Sequence, residues 1–314
     1  MAMSHILVSG SIAYDRIMGF AGRFQEHLLA EQLDNINVSF TVNTFTEGFG
    51  GTAGNIAYNL ALLGERPTII ATAGNDFEKY RAHFAELGID TSSIAIATDV
   101  PTASAYITTD TADNQIASFY LGAMVRPYEH AVETSPETIA IISPGNNFDM
   151  VLLAQKYSSS GVRYLYDPGQ QAIMLTSDEL QAGIQGANVL FANEYEIGIL
   201  CERTGWMRAE IAAQVPTLII TRAEKGTLII RGDHETVVAA VPVTLAVDPT
   251  GAGDAYRAGF MYGLTRDMPV EQSVRIASTV AAYSVEKKGT QNHHFSPVEL
   301  AQRHKAAYGV EIAN

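Results

Sequence analysis

ANVLFANE, residues 187–194, is a short apolar run that ends on polar residues in front of a helical pattern. Its length suits a strand buried on both faces, with Asn193 marking its end. The same unit returns in HILVSG (5–10), PTIIATAG (67–74), IAIISPG (139–145), VRYLYDPG (162–169), PTLIITRA (216–223) and GTLIIRG (226–232). Helical patterns lie between the runs, among them 53–63, 77–87, 254–265 and 270–286. This alternation predicts an α/β fold with a mostly parallel sheet covered on both faces. ISPGNN, YDPGQ, FANEYE, TRAEKG and VDPTGAGD follow the strands. Polar residues therefore converge on the carboxyl ends, where open α/β sheets take their ligands.

Two stretches have another period. Residues 34–46 and 102–121 alternate polar and apolar side chains, the pattern of a sheet with one wet face, and TTDTADN in the second is a hairpin turn. They predict a small β lid, about 13–46 and 100–122, on a single domain spanning 1–314.

The 314 residues are 47% hydrophobic and 17% charged, with a net charge of −14. Mean hydropathy is +0.05, as expected of a soluble globular chain. The acidic balance argues against nucleic acid, which is held by clustered Lys and Arg. It leaves room for a small phosphorylated ligand, because helix N-termini bind phosphate through uncharged N–H groups. The lone Cys201 excludes an internal disulfide and reads as a small buried hydrophobe. MAMSHILVSGS lacks a basic n-region, and no apolar run approaches the ~18 residues of a membrane span. The expected setting is the cytoplasm.

In DPTGAGDAYRAGF (248–260), Gly251-Ala252-Gly253 allow close backbone approach at a helix start. Asp254 falls in the first helical turn, where the helix dipole predicts an ionised carboxylate able to take the proton of an attacking hydroxyl. A plain glycine turn with a dipole-complementing Asp fits those residues equally well. Gly259 and Gly263 predict close packing on a neighbouring helix. Asn193 and Glu196 in FANEYE suit either a hydrated Mg²⁺ or a capping box. EGFGGTAGN (47–55) matches G-x-G-x-x-A, but the acidic partner expected further on is missing. Its backbone N–H groups and Asn55 suit ligand hydroxyls instead, as does Asp15 in GSIAYD, read as the end of the first strand. His293-His294 would make a poor metal pair, since adjacent loop side chains diverge. GxxxxGK[ST], GxSxG and HExxH are all absent.

Together these residues resemble the ribokinase-like (pfkB) family of sugar and nucleoside kinases, over essentially the whole chain. The carrying matches are Asp248 to Asp254 with Thr250 in place, Gly50-Gly51 with Asn55, and Asn193 with Glu196. The resemblance implies a three-layer α/β kinase with a β lid, using ATP and Mg²⁺, with K⁺ bound near Asp248 and Thr250 in some members. Asp254 would be the base, and Gly251, Ala252 and Gly253 the anion hole. Asp15, Gly50, Gly51 and Asn55 would hold sugar hydroxyls, and Asn193 and Glu196 would organise Mg²⁺ through water. Thr221, Gly226, Asn193, Gly251 and Gly253 would meet ATP, and the 287–295 loop would cover adenine. TRAEKG departs from the family's Thr-x-Gly-x-x-Gly by carrying Ala223.

The lid resembles that of bacterial proteins grouped with adenosine kinases, which implies phosphorylation of a nucleoside 5′-hydroxyl, adenosine to AMP. In that comparison Ile116 and Ser118 face the nucleoside. Phe40, Phe45, Phe119 and Tyr120 either stack on a purine or fill the lid's own core. The alternatives are a ribose or fructose kinase and a non-catalytic nucleoside-binding regulator. The expected partners are a nucleoside or sugar and ATP, with the protein a monomer or homodimer.

Overall fold

The computed structural model describes residues 5–28 and 37–312. The start of the period-two stretch 34–46 therefore lies outside the described residues. The chain begins with β1 (Ile6–Ser9), β2 (Ala13–Phe20), β3 (Val42–Gly50), α1 (Thr52–Leu62), β4 (Thr68–Ile70), β5 (Thr72–Ala73), α2 (Glu78–Glu86), β6 (Ala95–Ile96), β7 (Ala103–Thr109) and β8 (Gln115–Tyr120). It continues with β9 (Ile139–Ile142), α3 (Asn147–Ser160), β10 (Arg163–Tyr166), α4 (Ser177–Gly186), β11 (Val189–Asn193), α5 (Glu194–Thr204) and α6 (Arg208–Gln214). The last elements are β12 (Thr217–Thr221), β13 (Thr227–Arg231), β14 (His234–Val238), α7 (Ala252–Leu264), α8 (Val270–Val285) and α9 (Pro297–Tyr308).

The main sheet runs β14-β13-β12-β11-β10-β9-β1-β4. It is parallel from β4 to β12 and antiparallel only at β12–β13 and β13–β14. The reversal follows from chain length: the turn after Thr221 is too short for the crossover that a parallel partner needs. Side-chain alternation splits the core in two. Val8, Ile141, Leu165, Phe191 and Ile219 face Ile56, Leu60, Phe260 and Val274 of α1, α7 and α8. Leu7, Ile142, Tyr166, Leu190 and Leu218 face Leu153, Leu180, Leu200 and Ile211 of α3 to α6. Strands buried on both faces by helices are the expected three layers.

PTIIATAG divides, with β4 joining the main sheet and β5 pairing with β6 in a separate ribbon. The lid is a four-stranded sheet, β3-β2-β7-β8, and β3 continues past residue 46 to Gly50. Asp15 therefore does not end the first strand, which stops at Ser9. It is the third residue of lid strand β2. The close packing expected at Gly259 and Gly263 is present. A Cβ at Gly259 would lie 2.7 Å from Ala277 Cα, and one at Gly263 2.3 Å from Ser273 Oγ, both on α8. This contact fixes α7, and with it the residues at its N-terminus. Among the described residues no helix is long and apolar enough to cross a membrane.

Candidate active site

The 251–254 turn opens α7 at the carboxyl end of the main sheet. Gly251 has φ +77°, the left-handed region that glycine enters without steric cost, and a Cβ there would sit 2.9 Å from Thr290 Cβ. The N–H of Ala252 is taken by Pro249 O at 3.2 Å. Those of Gly251, Gly253 and Asp254 have no acceptor among the described residues. The donors left free for an anion are therefore those of Gly251, Gly253 and Asp254, not that of Ala252.

Asp254 Oδ2 accepts a 2.7 Å hydrogen bond from Asn55 Nδ2, closing a contact across 199 residues. The expected ordinary ionised carboxylate is corrected here. Burial pushes the Asp254 carboxyl up to about 7, against the opposing pull of Asn55 and Arg257 and with support from Asp167 and Asp15. A base near 7 is matched to hydroxyl deprotonation at neutral pH. Asn55 is held in turn by Gln291, whose Nε2 donates to Asn55 Oδ1 at 3.0 Å and to Tyr80 OH at 2.6 Å. The Asn55 amide orientation is thereby set, with its donor end on Asp254.

The double glycine has two separate uses. A Cβ at Gly50 would fall 2.6 Å from Asp15 Oδ2, so Gly50 makes room for that carboxylate. Gly51, φ +86°, lets the chain pass within contact of Ser11 O and Ala13 N as it turns into α1. Asp15 is pushed up to about 6 by burial and by Asp248.

The lid register corrects another expectation. Residues paired across neighbouring strands project to one face, and successive residues alternate. Asp15 pairs with Gly48 and Ala105, and Ala105 with Phe119. Arg16 pairs with Glu47 and Tyr106, Tyr106 with Ser118, and Thr108 with Ile116. Ile116 and Ser118 thus lie on the face opposite Asp15. That face carries the Arg16 cluster, in which Nε donates to Glu47 Oε2 at 2.9 Å and Nη1 to Tyr106 OH at 2.7 Å. Asp15 shares its face with Ile17, Ala105, Ile107, Ala117 and Phe119. Of the four aromatic candidates only Phe119, 52% exposed, is on that side. Phe40 packs into a cluster with Phe20, Phe24 and His27, while Phe45 and Tyr120 project from the opposite face.

Farther along the same sheet edge, Asn193 and Thr221 are register partners at the ends of β11 and β12. Asn193 caps α5, its Oδ1 accepting from the N–H groups of Tyr195 and Glu196, and Glu196 Oε2 accepts from Asn193 N at 2.8 Å. The capping box is formed, and it leaves Glu196 Oε1 uncommitted. Burial raises the Glu196 carboxyl. Among the described residues no three acidic, His or Cys side chains cluster as metal ligands. One free carboxylate oxygen fits a hydrated Mg²⁺ shared with phosphates rather than a protein cage. His293 is buried against Asn59, and burial pushes it down to about 4, whereas His294 is exposed, so the two make no metal pair.

Ala223 keeps the backbone path that a glycine would take, with φ +49°. The left-handed region costs a non-glycine residue about 1–2 kcal/mol, and a glycine's extra unfolded-state freedom about 0.5–1. Ala223→Gly should therefore stabilise the fold by roughly 0.5–1 kcal/mol. The urea midpoint reads this, and a fall would show the turn to be unstrained. Gly226, φ +82°, is required by Val238 O, which a Cβ would meet at 2.2 Å. Asp248 accepts from Thr250 N at 3.0 Å and Gly289 N at 2.9 Å, tying the turn to the 287–295 loop. Thr290, Gln291 and His293 of that loop are buried against β3 and α1, leaving Lys287, Lys288, Asn292 and His294 as its exposed residues. Cys201 is half-buried beside the core.

Sequence reasoning missed Gln291, Tyr80 and Arg257. Arg257 had one legible signal, a lone charge in the apolar helix run AYRAGFM.

A model of the pfkB family of carbohydrate kinases matches residues 10–296. A nucleoside kinase of Methanothermobacter thermautotrophicus is 31% identical over 313 residues, 98% of this chain and 97% of that protein. A ribokinase of Haemophilus influenzae is 28% identical, over 81% of this chain and 86% of that protein. The structure of Burkholderia thailandensis nucleoside kinase in complex with inosine superposes with a TM-score of 0.87 at 37% identity, covering 98% of this chain and 99% of that one. The same protein's complex with ADP-inosine gives 0.85 at 38%, covering 98% and 97%.

Proposed function

The chain belongs to the pfkB carbohydrate kinase family, with its ribokinase-like fold and its phosphotransfer to a hydroxyl group, and we propose that it phosphorylates the 5′-hydroxyl of a purine nucleoside with ATP. Adenosine, giving AMP, is the first acceptor expected, and the inosine bound by the Burkholderia relative extends the reading to 6-oxopurines. The observation that carries it is the Asn55–Asp254 contact at the mouth of the 251–254 turn, beside Asp15.

Asp15 accepts hydrogen bonds from the ribose hydroxyls, and Phe119 of the lid lies against the base. The 5′-hydroxyl meets Asp254 at Oδ1, because Oδ2 is held by Asn55. As the oxygen bonds to the γ-phosphorus its proton passes to Asp254, the bond to the ADP oxygen breaks, and the free N–H groups of the turn take the growing negative charge. The lid excludes water from the transfer.

A Mg²⁺ organised through water by Glu196 would neutralise phosphate charge. Glu196→Gln should shift half-maximal activity to severalfold higher Mg²⁺, and an unchanged titration would leave the pair as a helix cap alone. Na⁺ in place of K⁺ in the same assay tests a monovalent cation beside Asp248 and Thr250, and equal rates would exclude it. ADP release with Mg-ATP is the deciding assay, run on adenosine, inosine, guanosine, cytidine, ribose and fructose. Turnover confined to free sugars would favour the ribokinase-type reading. Nucleoside binding without ADP release would favour a non-catalytic regulator.

A further inference from the structure

YDPGQ has no part in the transfer described above, yet its Asp167 makes a buried ion pair with Arg257. Arg257 Nε lies 2.8 Å from Asp167 Oδ2, and Nη2 3.2 Å from Oδ1. Both side chains are only 6% exposed. Asp167 is itself anchored, its N–H donating to Ile142 O at 2.8 Å across the main sheet. The third guanidinium nitrogen, Nη1, donates to Gly253 O at 3.3 Å, and the guanidinium carbon sits 5.0 Å from the centre of the Phe191 ring. A Cβ at Gly253 would be 3.1 Å from Nη1, so the glycine and the arginine fit each other.

We infer that Arg257, clamped by Asp167, is a positioning residue: it holds the carbonyl of Gly253, and so the free N–H groups of the phosphoryl turn, and sets the charge environment of Asp254. This rests on the kinase reading for its catalytic consequence, but not for the contact itself. A buried ion pair is weak evidence of a stabilising role, because a packed apolar pair of similar volume is often as stable. Here the pair instead joins the end of β10 to a turn whose Gly251, Gly253 and Asp254 N–H groups are free. The charged and titratable groups facing Asp254 are Arg257 on its own helix, Asp167 after β10, Asp15 on β2 and Tyr80 on α2. Glu196 on α5 faces Arg257. Arg257 lowers the Asp254 carboxyl while Asp167 and Asp15 raise it, so the two members of the pair act on the base with opposite signs.

The test uses the full chain and two readouts. The Asp254 carboxyl is titrated by ¹³C NMR without substrates, and kcat/KM is followed against pH with the best nucleoside. Arg257→Met should move the Asp254 titration to higher pH by about 1 unit, and Asp167→Asn should move it to lower pH. Shifts of the same sign, or none, would overturn the inference. Either single variant strands a buried charge, so the double variant Asp167→Leu/Arg257→Met guards against misfolding. It should keep the wild-type Tm within a few degrees while kcat falls at least tenfold. A double variant with wild-type kcat would also overturn the inference. Should no acceptor be turned over by the wild type, the kinase reading fails, and the carboxyl titration still decides the inference.

Discussion

Asp254→Asn is expected to cost kcat about 10²–10⁴-fold, the usual worth of a general base, while nucleoside and ATP still bind. The amide keeps the shape of the carboxylate and can still accept from Asn55 Nδ2, so the loss belongs to the proton transfer and not to the pocket. Turnover within a few-fold of wild type would remove Asp254 from the mechanism. To act as that base Asp254 has to be a carboxylate in the free enzyme, and its carboxyl is held near 7. The kcat/KM of the wild type should therefore fall about tenfold per pH unit below about 7, and more steeply below about 6, where Asp15 also takes a proton.

The same substitution should be neutral or stabilising for the fold. A carboxyl raised from 3.8 to about 7 favours its protonated form in the folded state. Its contribution is fully present below 3.8 and is lost as pH climbs through about 7. The melting difference between Asp254→Asn and wild type should then be near zero in acid and grow to a plateau above neutrality. Each pKa unit corresponds to about 1.4 kcal/mol, so the gain is of order a few kcal/mol. A stability difference independent of pH would mean that Asp254 carries no burial penalty.

Asp15→Ala should act on the acceptor side alone. Hydrogen bonds from two hydroxyls to a charged acceptor are worth about 1.5–3 kcal/mol each, so kcat/KM for the nucleoside should drop about 10²–10⁴-fold. The KM for ATP should stay within a few-fold. The acid limb of the profile should also move to lower pH, because Asp15 is one of the charges that raise Asp254. A loss shared equally by both substrates would place Asp15 in the scaffold instead. Gly50→Ala should copy part of this effect, since its Cβ would press on the Asp15 carboxylate at 2.6 Å.

Much of this was open to reading along the chain. The apolar runs such as VLFAN and TLIIT, the helix 270–286 and the glycine spacing at 259 and 263 are local patterns, and each became the element or contact it implied. FANEYE suits a cap or a magnesium motif; the cap is formed, and one oxygen of Glu196 remains for the other use. Other features depend on relations that no local pattern encodes. Ile116 and Ser118 lie opposite Asp15 because strand register decides the face, and a shift of one residue would have reversed it. The Ala252 N–H is taken up by a turn hydrogen bond to Pro249, which glycine spacing does not announce. Gln291 reaches Asn55 from 236 residues away.

Local patterns along the chain set the alternation of strands and helices, and thereby a parallel sheet with its polar residues gathered at one edge. They also bring the residue types that phosphoryl transfer needs, since hydrophobic period, glycine conformation and helix capping act over a few residues. Packing in three dimensions sets which side of the lid carries Asp15, which N–H groups of the turn are free, and how strongly Asp254 holds its proton. Those properties depend on desolvation and on charges such as Asp15, Asp167 and Arg257, which lie far apart along the chain or turn inward only once the helices have packed.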